Sequence, residues 1–124
     1  MRQSIVSAAA AASLLVLFSA SALAADAEMK TIEQVYQQKE QLAGKTVQIS
    51  GKVVKVNNGI MRRNFLHIVD GSGKPGTDDM TITSSSTAAI GDQVTVTGVV
   101  KLNTDFGMGY SYPLLLEQSV ITKK

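Results

Sequence analysis

Apolar and polar residues along the chain change period twice. Residues 8–18 form an apolar run interrupted only by Ser13. Then "TIEQVYQQKEQLAG" places Ile32, Val35, Tyr36 and Leu42 at helical spacing, with Thr31 as N-cap, Gln34 three residues on and Gly44 as a stop, which predicts a short amphipathic helix over 31–43. From Lys45 onward the period is two. "TVQISGKVVKV" alternates through Val47 and Ile49, then loses phase around Gly51 so that Val53 and Val54 are both apolar; a bulge near Gly51 is the simplest cause. Further strands are expected at 64–69, 80–84, 93–102 and 112–121, the fourth losing phase at Gly98 where "VTVTGVV" echoes "VQISGKVV".

Five short, twisted strands with central glycines in two of them fit a small closed barrel that leaves few open edges. The expected class is mainly β: a five-stranded OB-fold Greek-key barrel preceded by a short N-terminal α-helix. An SH3-like barrel or a small open sandwich is the structural alternative. The segment "SSSTAAIGD" offers an irregular or briefly helical connection, and Pro113 sits near the start of the last strand, where a missing amide donor is tolerable.

Charge and composition add a compartment. Arg2, the apolar run and Ala22-Leu23-Ala24 form an export signal with cleavage after Ala24, so 1–24 is read as a secretory signal peptide, 25–30 as a short mobile leader and 31–124 as a single domain. The apolar run is short for a bilayer span, and no comparable run follows it, so no transmembrane segment is expected after cleavage. With no cysteine, thiol catalysis, thiolate metal sites, haem attachment and disulfides are excluded, and a soluble periplasmic protein is the expected setting. Losing Arg2 leaves eleven Lys and Arg against ten Asp and Glu, a net charge of +1. Lys45, Lys52, Lys55, Arg62 and Arg63 nevertheless fall in an acid-free stretch that can make one face mildly basic.

Known site chemistries mostly fail. In "GIMRRNFLHIVDGSGKPG", Gly73-Lys74 is followed by Pro75, and Ile68 stands where a P-loop needs its first glycine. After Asp70, Ser72 and Lys74 occupy the EF-hand ligand positions and no glutamate closes the loop. "DGSGKPGTDD" is therefore read as a turn. His67 is the only histidine, no serine lies on a nucleophile elbow, and the adjacent carboxylates Asp78 and Asp79 read as solvated loop charges, so no catalytic constellation and no cofactor is expected.

The loops expected at 57–63 and 103–111 flank the ligand groove of an OB barrel. All aromatics after the signal except Tyr36 lie at expected groove positions: Phe65 on the second strand, and Phe106, Tyr110 and Tyr112 around "TDFGMGYSY". With Lys55, Arg62 and Arg63 they fit a stacking platform beside a basic strip, as single-stranded nucleic acid or nucleotides would use, or alternatively ordinary barrel packing. The candidate ligand-binding set is Met61, Arg62, Arg63, Phe65, His67, Phe106, Met108 and Tyr110. Met61, His67, Met80 and Met108 form a weaker soft-metal set for Cu(I) or Ag(I), without spacing that enforces convergence. If Leu66 and Ile68 face the core, Phe65 and His67 face the groove; reversed phase would bury His67 instead.

The stretches "VNNGIMRRNFLHIVDGSG" and "DFGMGYSYPLL", within a likeness over residues 42–121, resemble small exported bacterial OB-fold proteins of the NrfJ-like type, accessories of periplasmic cytochrome c nitrite reductase or proteins grouped as nucleic-acid-binding by fold. The family has Trp where Phe65 stands. The resemblance implies fold, export and a non-catalytic role with a periplasmic protein partner or small ligand, and it brings no established ligand. In fold and compartment alone the chain is also similar to small periplasmic OB-fold copper and silver chaperones, whose metal-capping Trp is replaced here by Phe65 and whose Met spacing differs.

Overall fold

The computed structural model describes residues 27–124. The expected signal peptide lies outside the described residues. Six strands and two short helices follow in order: β1 Glu28–Met29, α1 Ile32–Gln37, α2 Lys39–Leu42, β2 Thr46–Ile60, β3 Arg63–Val69, β4 Asp79–Ser84, β5 Gln93–Asp105 and β6 Ser111–Lys123.

The helix begins where its local chemistry dictates. Thr31 accepts from the Gln34 amide while the Gln34 side chain accepts from the Thr31 amide, a complete capping box. Ile32 and Glu33, whose amides have no partner within the helix, donate instead to Asp70 Oδ2 (2.9 Å) and Ser72 Oγ (3.0 Å). The glycine-rich turn thus serves as a helix cap. The single helix expected over 31–43 is interrupted at Gln38, whose ψ of 17° departs from helical geometry and separates α1 from α2. Glu28 and Met29, expected in a leader, instead pair in parallel with Val47 and Gln48.

Strands β2, β3, β4, β6 and β5 are neighbours in that order, and β2 also pairs with β5, so the hydrogen bonding runs round a closed ring with β1 as an added edge. β2 is long enough to serve both neighbours. Its first half lies along β5, its second along β3, and Lys52 is in register with both Gln93 and Val69. Gly51 sits at this crossover because a Cβ there would stand 2.3 Å from the Val69 carbonyl oxygen. The register shift falls later than expected, between Val53 and Lys55, which turns Val53 into the core and leaves Val54 exposed. On β5 the irregularity is at Gly98, between Thr97 and Val99, where a Cβ would meet Ser119 Oγ at 2.4 Å.

Inward-facing residues from every barrel strand, with Ile32, Val35 and Leu42 from the helices closing one side, form the core. Fifteen buried apolar residues make up this cluster. Phe65 and Leu115 are just as buried but do not belong to it. Leu66 and Ile68 flank Phe65, and Leu114 and Leu116 flank Leu115, so by alternation the pair lies on the outer face of the barrel. Something on that face covers them.

Candidate functional site

Ile60 pairs with Arg63, leaving Met61-Arg62 as a two-residue turn with φ of 52° and 67°. Two left-handed central residues define a type I′ hairpin, a geometry that Asn-Gly adopts more easily. The loop expected at 57–63 is therefore mostly strand. Asn58-Gly59, which has hairpin composition, lies in an irregular stretch of β2, where the Gly59 amide donates to Asn64 Oδ1 at 2.9 Å. The second expected loop is also shorter. β5 and β6 pair as far as Asp105–Ser111, and a compact turn over 106–110 closes with Phe106 N donating to the Tyr110 carbonyl.

The aromatic residues converge. Phe65 is 1% exposed beneath Phe106 (centroids 5.4 Å apart, edge-on), Tyr110 (5.3 Å) and Tyr112 (5.8 Å, stacked). Arg63 places its guanidinium 4.7 Å from the Phe106 ring centre, a cation–π contact that ties the two hairpin turns together. Burial raises the Tyr112 hydroxyl above its ordinary pKa, with the neighbouring Tyr110 adding to the effect. Phe65 does face away from the core, as alternation predicts, but it is the floor of this cluster and presents no free ring to a ligand. Arg62 and Met108 are exposed, Met108 at 88%, while Met61, Arg63, Phe106 and Tyr110 are half-buried.

His67 lies on the same outer face, half-buried, with Nδ1 2.8 Å from Asp79 Oδ1. Asp79 thus opens β4 as a partner for His67, where the sequence suggested one of two solvated loop charges. The Tyr36 hydroxyl donates to the Asp79 carbonyl at 2.6 Å, and burial followed by the Asp79 and Asp78 charges raises its pKa. The soft-metal set does not assemble. Met80 is fully buried in the barrel interior, on the opposite face of the sheet from His67, because it pairs with inward-facing Ile68. Among the described residues there is no group of three or more His, Asp or Glu able to hold a metal ion, and no helix is long and apolar enough to cross a membrane.

A second feature went undetected in the sequence. A cleft of ≈ 440 Å³ runs beside the β2–β3 turn, between the end of β4 and the middle of β6, with Arg62, Arg63, Ser84, Ser85, Glu117 and Gln118 in its walls. Gln118 has φ of 52°, at the point where β6 carries an extra residue against both β4 and β5. Glu117 and Gln118 sit in an otherwise ordinary strand pattern, and only the parallel β4–β6 pairing brings them beside the arginines.

No protein-family model matches the chain, and no curated protein sequence does. Solved structures do. An assigned aspartyl-tRNA synthetase from Leishmania major Friedlin superposes with a TM-score of 0.57 at 15% identity, over 79% of this chain and 21% of that one, so the chain spans about a fifth of the synthetase. The OBody AM3L09, bound to hen egg-white lysozyme, gives 0.51 at 16% identity over 67% of this chain and 84% of the OBody. The fold is OB-like. A second OBody, AM2EP06, also bound to hen egg-white lysozyme, agrees at 0.50 and 16% identity over 67% of this chain and 82% of that one. At these identities the likeness concerns the fold alone.

Proposed function

We propose that the chain is an exported, non-catalytic binding module of the periplasm, a five-stranded Greek-key OB barrel. In this reading it is accessory to a respiratory cytochrome or metalloprotein system and holds a protein partner at the end where the 61–62 and 106–110 turns meet. The carrying observation is the packed aromatic cluster there, with Met108 projecting from it at 88% exposure between two positive-φ glycines. A surface whose rings already support one another loses little conformational freedom on docking, and aromatic, Arg and Met side chains are those that protein interfaces concentrate. The OBodies, of similar fold, are bound to a protein. The resemblance to NrfJ-like proteins supports the compartment and the class of partner.

Single-stranded nucleic acid is the weaker reading, because base stacking requires open ring faces and Phe65 has none. The test is an amide-resolved NMR titration with purified periplasmic cytochrome c nitrite reductase. The proposal expects broadening at Met61, Arg62 and 106–110 that Met108→Ala weakens. Unperturbed signals throughout, or equal response to an oligonucleotide with steep salt dependence, would overturn it.

A further inference from the structure

We infer that the cleft beside the β2–β3 turn is a binding site for a small zwitterion of short-peptide size, adjoining the aromatic partner surface. Arg62 closes the β2–β3 turn and Arg63 opens β3; on an extended strand such neighbours would point to opposite faces. The left-handed conformation of Arg62, φ 67°, breaks that alternation, and both residues line the same cleft. Arg63 is further oriented by its 4.7 Å contact with Phe106.

Glu117 and Gln118 of β6 line the same cleft. Gln118 is itself left-handed, so each wall is built on a strained non-glycine residue, as recognition sites often are. Among the described residues the ion pairs are Lys30–Glu28, His67–Asp79 and Lys123–Asp92; none joins Glu117 to either arginine. Two cations and a carboxylate lining one cleft, without a bridge between them, complement a ligand carrying an acid group at one end and an ammonium at the other. The floor is preorganised. Ser84 Oγ donates to the Ser119 carbonyl at 2.7 Å and Ser119 Oγ to the Leu116 carbonyl at 3.3 Å, so one hydroxyl ties β4 to β6 and the other braces β6 at its bulge. A volume of ≈ 440 Å³ is within the usual range for small-molecule sites and accommodates a di- or tripeptide.

The experiment is an NMR titration of the purified protein with dialanine and trialanine, each also as the N-acetyl and the C-amide derivative. Saturable shifts are expected at 83–85 and 117–120 with the free peptides, weakening roughly three- to tenfold when either end is neutralised, as for charge pairs of intermediate exposure. Glu117→Gln should erase the preference for a free amine but not for a free acid. Arg62→Ala with Arg63→Ala should do the reverse. No saturable shift at about 20 mM, beyond the range of millimolar ligands, would overturn the site. Dependence on the acid end alone would overturn the zwitterion in favour of a plain anion. The cleft shares Arg62 with the partner surface, but 83–85 and 117–120 lie outside that surface, so shifts there report the peptide site and failure of one reading is distinguishable from failure of the other.

Discussion

Phe65 stands on the solvent side of β3 yet is as buried as any core residue, since three rings from the β5–β6 hairpin close over it. Its truncation should therefore behave like a core deletion. Phe65→Ala is expected to lower stability by about 3–5 kcal/mol, read from urea unfolding, whereas Phe65→Leu should cost under half of that. A loss below about 1 kcal/mol for the alanine variant would mean that the cluster is loose in solution. Alternation within "NFLHIV" was enough to put Phe65 and His67 opposite Leu66 and Ile68. It was not enough to tell a ligand platform from a covered floor, because the cover comes from residues far along the chain. Thr31 was legible for the converse reason: its capping box spans three residues. Asp79 was misread because its partner His67 lies across the turn and is reached only through β3–β4 pairing.

Among the elements, the β2–β3 hairpin carries the clearest local conflict. Met61 and Arg62 hold φ of 52° and 67° without a glycine or asparagine between them. Each such residue costs on the order of 1 kcal/mol relative to one suited to the left-handed region. Replacing the pair by Asn-Gly is expected to stabilise the protein by about 1–2 kcal/mol, visible as a higher urea midpoint, while abolishing recognition that depends on Arg62. An unchanged or lower midpoint would show that Met61 contributes packing that offsets the strain. The strand glycines make a paired test. Gly98→Ala pushes a methyl toward Ser119 Oγ, a side chain able to move, and should cost about 1–3 kcal/mol. Gly51→Ala meets the Val69 carbonyl, which cannot move without breaking β2–β3 pairing, and should cost more. Both glycines betrayed themselves in the sequence as breaks in alternation. The exact offset did not, because the bulge at Val53–Lys55 depends on β3, which the strand meets only after leaving β5.

For the whole molecule, closure joins segments that sequence alone leaves unordered. Five of the six strands and their mainly β class could be read from period-two runs, but β1 is only two residues long and too short to show a period. The cleft was illegible because it arises from parallel pairing of β4 with β6, strands separated by all of β5. The same closure brings together the groups that set pH dependence. Tyr36 and Tyr112 have raised pKa values, so above their ordinary value of about 10 the unfolded chain releases protons that the folded barrel still holds. Their contribution is present in full below about pH 10 and is lost as pH rises through the folded values. Asp92 has the opposite sign. The Ala89 amide at 2.9 Å and then Lys123 hold its pKa below the ordinary carboxylate value, so its contribution is present above about pH 4 and lost as pH falls through the folded value. Urea midpoints measured across the range should form a plateau with two limbs. Asp92→Asn should flatten the acid limb alone. Tyr36→Phe combined with Tyr112→Phe should flatten the alkaline limb, at a baseline about 1 kcal/mol lower for the lost bond to the Asp79 carbonyl. An alkaline limb that survives in the double variant would assign it to lysine deprotonation, and the two tyrosines would then titrate alike in the folded and unfolded chain.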